Sequence, residues 1–115
     1  MADEYDRNFS KITELNIPKR QWNSTHVFHQ YTLKVKSELR SKLIDYLQAN
    51  NIPVMIYYPV PLYRQEAFSK YVVDDFYIKN VEELCTTVFS LPIHTEYENS
   101  SQEFIIQKIK EFFNK

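Results

Sequence analysis

Residues 26–58, HVFHQYTLKVKSELRSKLIDYLQANNIPVMIYY, change their hydrophobic period twice. His26 to Val35 is rich in Val, Tyr and Thr and reads as a strand. Alternation puts Val27, His29, Tyr31, Leu33 and Val35 on one face and His26, Phe28, Gln30, Thr32 and Lys34 on the other. Ser37 is a candidate N-cap, and Leu39, Leu43, Tyr46 and Leu47 then recur at helical spacing. Asn50-Asn51 can close that helix in a left-handed C-cap without glycine, and Pro53 forbids its continuation. Val54 to Tyr58 is a continuous apolar run, as in a buried strand, and it runs into the stiff extended segment Pro59-Val60-Pro61.

The flanks extend the alternation. Tyr5, Phe9, Ile12 and Leu15 share a stripe over 3–15, a short helix that Asn16-Ile17-Pro18 ends. With the polar stretch Lys19–Thr25 following, residues 1–22 are expected to form an arm packing on something outside this chain, and 23–115 a single domain. Gln65–Tyr71 is a short helical piece. Asn80–Thr87 is a helix with Asn80 as N-cap and Glu83 three residues on. Val88–Leu91 is a strand stopped by Pro92. Ser100-Ser101-Gln102-Glu103 forms a capping box for a last helix with Ile105, Ile109, Phe112 and Phe113 on one face. The expected architecture is α+β: a small sheet of three or four short strands with helices packed on one side.

Composition narrows the function. The chain has 115 residues, 43% hydrophobic with 9 Tyr and 8 Phe, and a formal net charge of -1. That suits one globular domain with one modest core. Lys and Arg are dispersed, so the basic footprint of a nucleic-acid binder is absent. No apolar run approaches the roughly 20 residues of a membrane span. MADEYDRNFS is too polar for a signal peptide, and the single Cys85 suits a reducing compartment, so a cytoplasmic protein is expected. Glycine is absent, which excludes P-loop and Rossmann phosphate cradles.

Other chemistries lack their parts. His26 and His29, three apart on a strand, point to opposite faces and leave only His94 as a further histidine, so no metal site is expected. Cys85, beside Leu84 and near Val88, reads as a small core residue. Asp74-Asp75 reads as a solvated loop. A Schiff-base lysine needs an apolar pocket or a cationic neighbour, and none of Lys11, Lys34, Lys42, Lys70, Lys79, Lys108 and Lys110 has such a context in the sequence. The unusual segment is Tyr57-Tyr58-Pro59-Val60-Pro61-Leu62-Tyr63-Arg64-Gln65. A rigid aromatic loop at a strand end either presents a ligand surface or caps the core.

At these residues the sequence resembles a known family. His29 to Val35, Arg40, Asn51-Ile52-Pro53, Tyr57 to Phe68, Glu83 and Phe89-Ser90-Leu91-Pro92-Ile93-His94 follow, in order and spacing, the C-terminal part of the DegT-type nucleotide-sugar aminotransferases. The resemblance covers nearly the whole chain. It implies the small domain of a fold-type I aminotransferase. It also implies an activity in which pyridoxal phosphate (PLP) carries an amino group, usually from glutamate, onto a nucleotide-linked keto sugar for cell-surface polysaccharide or related sugars. Such enzymes are dimers with active sites at the subunit boundary. Their aldimine lysine and main cofactor contacts lie in a large N-terminal domain, which this chain is expected to lack. Alone it is then expected to carry no catalytic or cofactor-binding residue, to hold no PLP and to transaminate nothing.

The resemblance assigns His29, Tyr31, Lys34, Tyr57, Tyr58, Pro59, Leu62, Tyr63 and Gln65 to substrate binding. Lys34 stands where arginine is common, and Tyr63 where histidine is usual. The expected partners are a large-domain polypeptide, a second copy of the chain and a nucleotide sugar. A non-catalytic binding module that kept this fold is the alternative.

Overall fold

The computed structural model describes residues 1–72 and 76–114; the Asp74-Asp75 pair lies outside them. The elements are α1 (Ala2–Phe9), β1 (Tyr31–Lys34), α2 (Ser37–Ala49), two 3-10 turns (Leu62–Arg64 and Glu66–Tyr71), α3 (Lys79–Thr87), β2 (Val88–Leu91) and α4 (Asn99–Phe113). The class is α+β, as the sequence predicts. β1 and β2 pair antiparallel, with Tyr31 opposite Leu91 and Leu33 opposite Phe89. One bridge on each side widens this ladder: Asn16 pairs with Lys34, and Met55 with Ser90.

The period-2 pattern of β1 sends Tyr31, Leu33 and Val35 into the core, facing Phe89 and Leu91 of β2. Helices α1, α2 and α4 cover this face with Tyr5 and Phe9, Leu43 and Leu47, and Ile105 and Ile109, all at helical spacing. Each such side chain contributes roughly 1.5–3 kcal/mol of burial. The arm expected to pack elsewhere thus has the stripe of α1 covered within this chain, and the Tyr5 hydroxyl donates to the Pro92 carbonyl at 3.0 Å.

The predicted left-handed cap forms at Asn51, with φ 58. The Ile52 amide bonds the Leu47 carbonyl at 3.0 Å and the Asn51 amide the Gln48 carbonyl at 2.9 Å. This is a Schellman closure with asparagine in the glycine position, sealed by the buried pair Ile52 and Leu47.

Four expectations are corrected. The helix over 3–15 stops at Phe9, and two tight turns, Ile12 amide to Phe9 carbonyl and Leu15 amide to Ile12 carbonyl, carry Leu15 into the core. The strand over 26–35 keeps only its second half, because Phe28 adopts φ 51. For a non-glycine residue that conformation costs about 1–2 kcal/mol. It is held by the Phe28 amide donating to His26 Nδ1 at 2.9 Å, by the His26 ring stacked at 4.0 Å and by the Arg20 guanidinium 4.6 Å from the Phe28 ring. Val54–Tyr58 is not a buried strand: it touches the sheet only at Met55, and Tyr58 is 75% exposed. The side-chain caps expected at Ser37, Asn80 and Ser100 do not form, since each helix starts early enough to put that residue inside its first turn.

Candidate functional site

After the Met55 bridge the chain leaves the sheet along Tyr57, Tyr58 and Pro59, and the two prolines keep it extended. Pro61 is buried and starts the first 3-10 turn, with the Arg64 amide donating to its carbonyl at 2.9 Å. Anchored there, the loop turns Tyr57, Tyr58, Pro59 and Leu62 outward. The Tyr57 and Tyr58 rings lie 6.4 Å apart, tilted by 42°. Gln65 is exposed, its amide donating to the Val60 carbonyl at 3.4 Å. These aromatics present a surface and do not cap the core.

Tyr63 behaves differently. Its hydroxyl donates to Glu82 Oε1 at 2.7 Å and accepts the Ile78 amide at 3.2 Å, and its ring meets Phe76 edge-on at 5.2 Å. Desolvation first, then the bond to Glu82, pushes its ionisation above the ordinary tyrosine value. Arg64 Nε reaches the same Glu82 oxygen at 2.6 Å.

The remaining sequence-predicted residues do not all join the loop. His29 is exposed in the bend before β1. Lys34 lies on the sheet face opposite the core, with Nζ 2.5 Å from Glu83 Oε1. That hydrogen bond, then the lysine charge, holds Glu83 below the ordinary glutamate range. Tyr31 is on the other face, fully buried, its hydroxyl donating to Asp6 at 2.6 Å.

An apolar groove of ≈ 380 Å³ escaped the sequence reading. Leu62, Tyr63, Phe68, Tyr71, Ile78 and Val81 line it. The signal was present as two i, i+3 apolar pairs, Phe68 with Tyr71 and Ile78 with Val81. Among the described residues no three His, Cys, Asp or Glu side chains converge as metal ligands, and no helix is long and apolar enough to cross a membrane.

Together these features define an α+β domain that carries an ordered aromatic loop on one sheet margin. The chain belongs to the DegT/DnrJ/EryC1/StrS aminotransferase family, whose model matches residues 1–110. It is 32% identical over 96 residues to a pleiotropic regulatory protein of Geobacillus stearothermophilus, covering 84% of this chain and 25% of that protein. It is 28% identical over 98 residues to a dTDP-3-amino-3,6-dideoxy-alpha-D-galactopyranose transaminase of Aneurinibacillus thermoaerophilus, covering 85% of this chain and 26% of the relative. The crystal structure of a DegT DnrJ EryC1 StrS aminotransferase from Brucella abortus superposes with a TM-score of 0.86 at 29% identity, covering 99% of this chain and 30% of that one. The chain thus spans between a quarter and a third of the length of these relatives.

The described residues do not fit a PLP site of their own. Lys34, Lys108 and Lys110 are engaged by Glu83, Glu111 and Asn8, and Lys70 lies over the Tyr71 ring. Lys11, Lys19, Lys36, Lys42 and Lys79 are exposed. None has the apolar enclosure that lowers an amine into its nucleophilic form.

Proposed function

We propose that these residues form the C-terminal small domain of a PLP-dependent enzyme that aminates a nucleotide-linked keto sugar. The observation that carries the reading is the outward-facing loop Tyr57–Leu62 on a domain that matches only 25–30% of its family relatives. PLP, its lysine and the partner of its ring nitrogen are supplied by residues outside these 115. The domain itself binds and orients. Tyr57 and Tyr58 offer ring faces to a sugar or base and hydroxyls to its polar edge. Leu62 and Pro59 exclude water beside them, and Gln65 provides a polar contact on the same loop. The enzyme works in the cytoplasm as a dimer, and the exposed loop faces the rest of that assembly.

Supplementing the isotope-labelled chain with dTDP-glucose and following backbone NMR signals tests the wall. Shifts clustered at Tyr57, Tyr58, Leu62 and Gln65 are expected; shifts elsewhere, or none, overturn it. Titration of the chain with PLP is expected to show no saturable aldimine absorption band, and stoichiometric borohydride trapping at one particular lysine overturns the division of labour.

One observation favours a second reading, a binding module without catalysis: the Geobacillus relative carries the name of a regulator, not of a transaminase. A chain that ignores dTDP-glucose yet restores no aminotransfer when mixed with a family large domain supports that module.

A further inference from the structure

Helix α3 has no side-chain cap of its own. The loop provides one. The Tyr63 hydroxyl accepts the Ile78 amide at the start of α3 and donates to Glu82, one turn in. Arg64, the next residue of the 3-10 turn, reaches the same carboxylate oxygen through Nε. Two consecutive loop residues therefore converge on one acceptor. Glu82 is much less exposed than Arg64, 20% against 55% of the side chain, so the contact is partly shielded and not a loose surface pair. The Tyr63 ring, edge-on to Phe76, also forms one wall of the apolar groove, so the turn is gripped by polar and apolar contacts at once.

We infer that Glu82 and Tyr63 are positioning residues that fix the Tyr57–Leu62 loop on α3, and that Tyr63 reaches ligand only through the loop it holds. The inference rests on reading that loop as the substrate-facing wall, but the fixing itself does not. Removing either group frees the 3-10 turn and the first turn of α3 together and leaves the helical side of the core intact. A bound sugar then meets a loop that must be ordered first, which weakens affinity without altering the residues that touch it.

The test is hydrogen exchange of the full 115-residue chain, read at the Arg64, Gln65, Phe68 and Ile78 amides and at core amides of α2 and α4. Tyr63→Phe removes one oxygen and Glu82→Ala removes the acceptor. Both are expected to speed exchange at the four reporters about tenfold or more, the change that about 1.4 kcal/mol of lost local stability gives, with α2 and α4 unchanged. Glu82→Gln, which keeps an acceptor, is expected to recover most of the protection. Exchange unchanged at the reporters, acceleration spread evenly through α2 and α4, or no recovery by Gln would each overturn the assignment. Where the wild-type chain binds dTDP-glucose, Tyr63→Phe should weaken it several-fold. A wild-type chain that binds none sinks the substrate-wall reading alone, since the exchange comparison needs no ligand.

Discussion

The Tyr31 hydroxyl and the Asp6 carboxylate are joined at 2.6 Å, a contact that ties β1 to α1 across 25 residues of sequence. Arg20 Nη2 holds the other Asp6 oxygen at 2.6 Å and Asp3 at 2.6 Å. Burial, then the bond to Asp6, drives the Tyr31 ionisation far above its ordinary value, so the phenol donates at every physiological pH. Tyr31→Phe is expected to cost about 1.5–3 kcal/mol, the worth of a hydrogen bond to a charged group. Asp6→Ala should cost more, because it strands a buried hydroxyl as well. Urea unfolding should show lower midpoints at unchanged slope; a Tyr31→Phe chain as stable as wild type would show the bond to be idle.

Acid should weaken the contact between Lys34 and Glu83. Glu83 sits below the ordinary glutamate value in the folded chain, chiefly through the Lys34 hydrogen bond. As pH falls, the unfolded chain takes up this proton first. The pair therefore stabilises the fold above the ordinary glutamate value, and its contribution disappears as pH drops through the lowered one. Lys34→Met should melt below wild type at neutral pH, with the gap closing as pH falls through the lowered Glu83 ionisation. A gap independent of pH would assign the loss to the lysine stem's packing.

Asn51 holds φ 58 at the end of α2. Asn51→Gly should be neutral or slightly stabilising, since glycine carries no Cβ penalty there, and Asn51→Val should cost about 1–2 kcal/mol. Thermal melts of the two variants should move apart. Equal melts would mean that the chain closes the helix by another route.

The exposed apolar surface should drive self-association. Tyr58, Leu62 and Tyr71 are 75%, 59% and 73% exposed on one continuous loop segment. Sedimentation velocity is expected to show a concentration-dependent dimer that Tyr58→Ser with Leu62→Ser weakens. A wild-type monomer at high concentration would count against it.

Legibility in the sequence followed the range of the forces involved. Helix α2, β2 and the core face of α4 were readable because short-range periodicity marks all three and Pro53 and Pro92 end the first two. The break at Phe28 was not, because φ 51 there depends on Arg20 and His26 closing over its ring. Val54–Tyr58 misled because an apolar run reveals nothing about which chain covers it. The aromatic loop itself was visible in Tyr57-Tyr58-Pro59, but the opposite placement of Tyr31 and the turn of Tyr63 towards Glu82 are tertiary facts. No local pattern marked Glu82 as the acceptor for both Tyr63 and Arg64.

Neighbouring positions of α3 hold three other parts of the molecule: Glu82 the loop, Glu83 the strand residue Lys34, and the Cys85 carbonyl the α2 residue Arg40, at 2.7 Å. Nine residues of helix thus carry contacts to a loop, a strand and a second helix. Fraying of this short element spreads to all three, so a substitution on its exposed side is expected to loosen the aromatic loop, the strand contact and the helix docking in one step.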